Sequence, residues 1–185
     1  MDENLIKIRH ERSKKDFPSL KLEDDEYVEF AFKRARAYFM MYFVGLAVGL
    51  AVVLLAFLVI LLGQSSLDAM GRNFMYILLA ALIVVALVVG FIGMMLYRGN
   101  RLFLTNKHAI QLIMESPLST SVNIIDLKSV EDASFSQKGL LQKLFGYGTL
   151  RLSTVGDETT YTFLYSDISS SELKAVSKLI SEAKD

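Results

Sequence analysis

The hydrophobic pattern divides the chain sharply. Residues 37–62 and 74–97 contain no Asp, Glu, Lys, Arg or His, and eleven mostly polar residues, Gly63 to Asn73, separate them. At about 1.5 Å of rise per helical residue the two runs give roughly 39 and 36 Å, more than the ~30 Å hydrocarbon core of a bilayer. Core helices of soluble proteins normally carry a polar stripe, and neither run has one. The pattern predicts a transmembrane hairpin, with spans at 37–62 and 74–97 and an external loop at 63–73. After Tyr97 the period changes to two. Arg101 to Leu104, Ile110 to Met114, Val122 to Leu127, Ala133 to Ser136, Leu150 to Ser153 and Thr160 to Tyr165 read as six half-buried antiparallel strands. Turns are expected at Thr105-Asn106-Lys107, at Ser116-Pro117 and at Gly156-Asp157, the last closing a hairpin. The chain ends in a predicted amphipathic helix: Ser169 and Glu172 form a capping box, and Leu173, Val176, Ile180 and Ala183 share one face.

Ahead of the first span, residues 1–26 are polar, with a basic run (Lys7, Arg9, Arg12, Lys14, Lys15) and an acidic run (Glu23 to Glu26). The basic run, with Leu5, Ile6 and Ile8, either meets anionic lipid or, the favoured reading because acidic residues dilute it, belongs to a solvated, partly disordered cytoplasmic tail. The acidic run lacks the spaced ligands and turn glycine of a calcium loop. Residues 27–36 form a juxtamembrane lead-in. There Tyr27, Val28, Phe30 and Phe32 alternate with Glu29, Ala31 and Lys33, which fits either a short strand or the first turns of a helix. Lys33, Arg34 and Arg36 flank the first span and Arg98, Arg101 and Lys107 follow the second, against Arg72 and Asp68 in the loop. The positive-inside rule then places both termini on the cytoplasmic face of the cell membrane in a multi-pass protein. No cleavable signal peptide precedes the first span, which is expected to act as an uncleaved anchor.

Composition narrows the function. The chain has 185 residues, room for the hairpin and one soluble domain at 98–185. Its 20 basic and 20 acidic residues balance, and each flank of the hairpin balances too, so no nucleic-acid partner is expected. There is no cysteine. Neither His10 nor His108 has a triad or ligand partner at a recognisable spacing, and Asp157 and Glu158 read as turn residues. No catalytic residue, metal site or cofactor is assigned, and the chain is not expected to be an enzyme. Gly139, Gly146 and Gly148 serve turns, since no Lys-Ser/Thr pair on a helix follows them. The uncharged spans argue against a conduction path or proton relay. Gly45 with Gly49 forms a small-xxx-small pair for dimerisation or for packing on Gly90 and Gly93.

Three segments carry a family resemblance: Arg101-Leu-Phe-Leu-Thr-Asn-Lys-His108, Ile124-Ile-Asp-Leu-Lys-Ser-Val130 and Leu140-Leu-Gln-Lys-Leu-Phe-Gly-Tyr-Gly-Thr-Leu150. Residues 101 to about 183 resemble the bacterial pleckstrin-homology-like domain family, in which two spans before such a domain are familiar. The resemblance implies an α+β chain, a two-helix transmembrane hairpin followed by a small antiparallel PH-like β-barrel with a C-terminal capping helix. A full barrel of this kind has seven strands; the seventh is either short or lies in the Asp126 to Val130 region. Lipid-binding members of the wider superfamily grip phosphates with clustered basic residues. Here that stretch offers only Arg101 and Lys107, so Arg98, Arg101 and Lys107 are expected to meet lipid headgroups without specificity. The loop with Lys138, Leu140, Leu141, Lys143, Leu144 and Phe145 either plugs one end of the barrel, the favoured reading, or contacts a partner or the bilayer. The functional expectation is a membrane-anchored interaction or assembly module with a protein partner or a second copy of itself. The alternative is an accessory subunit of a transport, export or protease complex.

Overall fold

A computed structural model describes residues 3–63, 69–154 and 160–184. It separates into two compact units, Arg36–Tyr97 and a second made of Met1–Ala35 with Arg98–Asp185. The first unit holds α2 (Arg36–Gly63) and most of α3 (Ala69–Gly99). Both helices are long and apolar enough to cross a membrane, and almost none of either is buried. The loop is shorter than the polarity of 63–73 suggests, because Ala69 to Asn73 contains no proline and continues helically into α3. Asp68 lies outside the described residues.

Aromatic residues join the two helices. The Tyr42 hydroxyl donates to the Val89 carbonyl at 2.9 Å, and the Phe39 and Tyr97 rings lie 4.7 Å apart, tilted at 38°. Gly90 and Gly93 receive side chains that a Cβ would crowd: Leu46 at Gly90 and, much more closely, the Tyr42 ring at Gly93. Gly45 and Gly49 face open space. The expected match of small residue on small residue is therefore replaced by large residue on small.

Among its described residues the second unit contains seven strands. Chain order runs α1 (Glu3–Asp16), β1 (Val28–Lys33), then after the helices β2 (Arg101–Thr105), β3 (His108–Ser116) and β4 (Ser119–Asp126). These strands form one antiparallel sheet in the order β1-β2-β3-β4. Its partner sheet is β5 (Val130–Ser136), β6 (Gly148–Thr154) and β7 (Thr160–Ser166), also antiparallel. The β6–β7 turn at Gly156-Asp157 lies outside the described residues. The seventh strand is β1, in the lead-in, and it pairs with β2 from Lys33↔Arg101 to Val28↔Thr105. Asp126 to Val130 instead makes a 3-10 turn, which the Asp126 carboxylate caps by accepting from the Lys128 amide at 2.9 Å. The two-helix unit is thus inserted into the connection between two paired strands of one domain.

The sheets meet at one corner, where Arg34 bridges Ser166 and the Ala35 amide donates to Tyr165. At the other side β4 and β5 do not pair, because the 3-10 turn separates them, so the expected barrel is two sheets that do not close. The final helix, α5 (Ser170–Lys184), covers that side by burying Val176 and Ile180 against the core of Leu104, Leu127, Val130, Leu150 and Phe163. The capping box forms as read, with the Ser169 amide donating to Glu172 at 2.8 Å and the Glu172 amide to the Ser169 hydroxyl at 3.2 Å.

The N-terminal segment departs most from expectation. Instead of a solvated tail, residues 17–22 lie over the outer face of the first sheet, and α1 meets β1 through Ser13, whose hydroxyl accepts from the Val28 amide at 3.0 Å. Phe17, Leu20 and Leu22 pack on Phe103 and Ile110, with the Phe17 and Phe103 rings 5.0 Å apart. The reason is that this sheet is apolar on both faces: Leu102 and Leu104 point to the core, and Phe103 and Ile110 point out and require cover. The charged runs on either side masked those three apolar residues.

Candidate functional site

Strands β5 and β6 are joined by a short helix, α4 (Leu140–Phe145). Positive φ values at Gly139 (91°) and Gly146 (71°) bound it, a conformation that glycine adopts without a Cβ clash. Polar groups brace its base. Gln142 Oε1 accepts from the Lys138 amide at 2.5 Å, and Gln137 Nε2 donates to the Tyr147 carbonyl at 3.2 Å. None of its six side chains is buried: Leu140 is 82% exposed and Leu144 72%, with Leu141 and Phe145 about half exposed. The plug reading is therefore overturned. These side chains project outward because glycines and glutamines, rather than apolar burial, hold the turn. Full burial of each would be worth about 1.5–3 kcal/mol, which this unit leaves unrealised.

Register locates α4. Ser136 pairs with Thr149, Gly148 with Ser166, and Ser166 bridges Arg34. The start of β6 is thus two strand spacings, about 10 Å, from Arg34, which lies two residues before α2 begins. Tyr147, just after α4, sits 6.0 Å from Tyr165, and the Arg34 guanidinium lies 5.8 Å from that ring. Lys138 and Lys143 are exposed beside the leucines.

The other basic candidates do not converge. Arg98 and Arg101 are adjacent, Arg101 Nε donating to the Arg98 carbonyl at 3.3 Å. Lys107 lies beyond the far end of β2, at least about 13 Å along the strand. There its ammonium donates to the Asp24 carbonyl at 2.9 Å and faces Glu23 at 3.5 Å. Three phosphate-gripping bases in one place are not assembled.

One polar cluster escaped the sequence reading. Glu26, 1% exposed, lies under the β2–β3 turn. Its carboxylate accepts from the Thr105 hydroxyl at 2.6 Å, from the Glu23 amide at 2.9 Å and from His108 Nδ1 at 2.9 Å. His10 Nδ1 donates to its backbone carbonyl at 2.6 Å, so both histidines converge on one residue. Burial raises the Glu26 pKa, but the bonds from Thr105, Glu23 and His108 outweigh it and hold the carboxyl below its ordinary value. Serine-type chemistry needs the hydroxyl to donate to a histidine and face substrate. Here the fully buried Thr105 hydroxyl donates to the carboxylate, and the arrangement acts as a clasp between the N-terminal segment and the sheet. The clue in sequence was the last acid of the run abutting an alternating apolar stretch.

The exposed turn gives a direct check. Leu141→Asp with Phe145→Asp is expected to leave the second unit folded, its unfolding free energy within about 1 kcal/mol of the parent, while contact through α4 is lost. Far-UV circular dichroism melts in detergent measure the first, and co-sedimentation with vesicles or partner capture the second.

A model of the family described as bacterial PH domain matches residues 39–184. Among curated proteins none matches the sequence. Among solved structures, a DUF1696 family protein with a pleckstrin-homology domain from Shewanella loihica PV-4 is similar over 46% of this chain and 71% of its own, with 14% identity and a TM-score of 0.35.

Proposed function

Because this chain belongs to the bacterial PH domain family, we propose that it is a membrane-anchored PH-like interaction module, displayed with both termini on the cytoplasmic face and working by assembly rather than catalysis. The insertion of α2 and α3 between β1 and β2 carries this reading. Two paired strands belong to one domain, so both ends of the hairpin lie on one side, which is the outcome an even number of spans produces. Exposed apolar surface along both helices needs a lipid environment, and Lys33, Arg34, Arg36, Arg98 and Arg101 beside their domain-side ends favour the cytoplasmic side. A reporter fused to either terminus is expected to be accessible from the cytoplasm, and an external signal from either one overturns the reading.

A second reading, an accessory subunit of a transport, export or protease complex, draws on the open faces of Gly45 and Gly49, which leave α2 able to accept a partner helix closely. Stoichiometric co-purification of such a partner in mild detergent favours it. Recovery of only this chain favours the first reading.

A further inference from the structure

We infer that α4 is a bilayer-inserting wedge, seating Leu140, Leu141, Leu144 and Phe145 at the acyl boundary of an anionic lipid surface while Lys138 and Lys143 meet the headgroups. This rests on the membrane-anchored reading above. Three observations commit the face to lipid. First, the apolar side chains are presented rather than stored. Positive-φ glycines at both ends and the Gln137 and Gln142 bonds hold the turn without help from its leucines, so exposure is the resting state of this loop.

Second, α4 lies close to the place where the chain leaves its own unit. Through the ladder Gly148↔Ser166↔Arg34, α4 leaves the sheet about 10 Å from the point where the chain runs into α2. On the other flank of the β1–β2 pair, the β3–β4 turn presents Leu118, fully exposed, on the edge of the sheet from which Lys33 and Arg101 lead into the helices. Apolar side chains thus bracket the entry strands.

Third, charge is polarised. From Ala133 to Gly156 there is no acidic residue, while Lys138, Lys143 and Arg151 are basic. Lys33, Arg34, Arg98 and Arg101 cluster at the same entry, where Glu115 and Asp167 are the nearby acids. The opposite ends of the strands carry Glu23, Asp24, Asp25, Asp126, Glu131 and Asp132 against Lys107 and Lys128, an acidic excess. A basic, apolar surface at the anchored end and an acidic one away from it match a negatively charged leaflet. A protein groove binding α4 would not require that distribution.

The chain has no tryptophan, so one introduced indole reports its own surroundings. Full-length Leu144→Trp, Ile124→Trp and Leu87→Trp would each be reconstituted in phosphatidylcholine vesicles with and without phosphatidylglycerol, and read by emission maximum and by quenching from acyl-brominated lipid. Ile124 is exposed on β4 and Leu87 on α3. The expected result is blue-shifted, lipid-quenched emission for Leu144→Trp and Leu87→Trp, with Ile124→Trp unquenched. Adding Lys138→Glu and Lys143→Glu to Leu144→Trp is expected to abolish the gain in quenching that the anionic lipid produces. Quenching of Leu87→Trp without quenching of Leu144→Trp overturns the wedge and leaves the anchor standing. Absence of quenching at both overturns the two together. A blue shift at Leu144→Trp that grows with protein-to-lipid ratio and resists brominated lipid assigns the face to a second copy and also overturns the wedge.

Discussion

Replacing Phe32 with alanine is expected to destabilise the second unit by about 3–5 kcal/mol, the range for removing a buried phenylalanine side chain. Against typical domain stabilities of about 5–15 kcal/mol, that is enough to bring the unit close to unfolding. Phe32 is buried in the main core beside Leu102, its register partner, and lies 5.9 Å from Phe30. It belongs to a strand that precedes the helices, in a segment the family match does not include. A melt of the detergent-solubilised protein should show the strand signal lost at lower temperature while the helical signal of α2 and α3 persists. An unchanged melt would show that the fold is complete without β1.

The second large effect is expected at Glu26. Removing its carboxylate with Glu26→Ala leaves the Thr105 hydroxyl, the Glu23 amide and His108 without their acceptor. The Thr105 hydroxyl is buried and keeps just the His108 carbonyl as an acceptor, at 3.0 Å, while the Glu23 amide and the His108 ring reach solvent in part, so a loss of about 1–3 kcal/mol is expected. The pH dependence has a definite sign. The folded-state pKa of Glu26 lies below the ordinary 4.5, so its contribution is present above that value and disappears as pH falls through the lower folded-state value. Unfolding free energies of wild type and Glu26→Gln, measured by denaturant at a series of pH values, should differ most near neutrality and converge in acid. A gap that stays constant through the acid range would show that the carboxylate is not the source of the stability.

The large features were legible because each has a long or repeated signal. Two uncharged runs fixed the helices to within a few residues, six alternating stretches fixed six strands, and Ser169 with Glu172 fixed the start of α5. What failed was short or depended on distant pairing. Strand β1 is six residues long, contains a bulge at Val28 to Phe30 and runs almost directly into a helix, so period alone did not separate strand from helix. Its hydrogen bonds come from residues on the far side of the hairpin. The N-terminal segment looked disordered because its apolar contacts with the sheet come from just Phe17, Leu20 and Leu22, amid charged groups whose partners, such as Glu29 for Arg9 at 2.8 Å and Thr105 for Glu26 at 2.6 Å, are remote in sequence. For the β5–β6 loop, the residues were found but their direction was not. Leucines beside glycines fit both a plug and a protrusion, and only the backbone at Gly139 and Gly146 decides between them.

The interruption of the first sheet also sets an order for biogenesis. Strand β1 leaves the ribosome with Phe30 and Phe32 unpaired, and its partner appears only after both long helices have been synthesised. Until β2 arrives, β1 presents an open strand edge with two aromatic residues beside it. Closure of the first sheet is therefore a late event, which waits on synthesis of the whole intervening pair of helices.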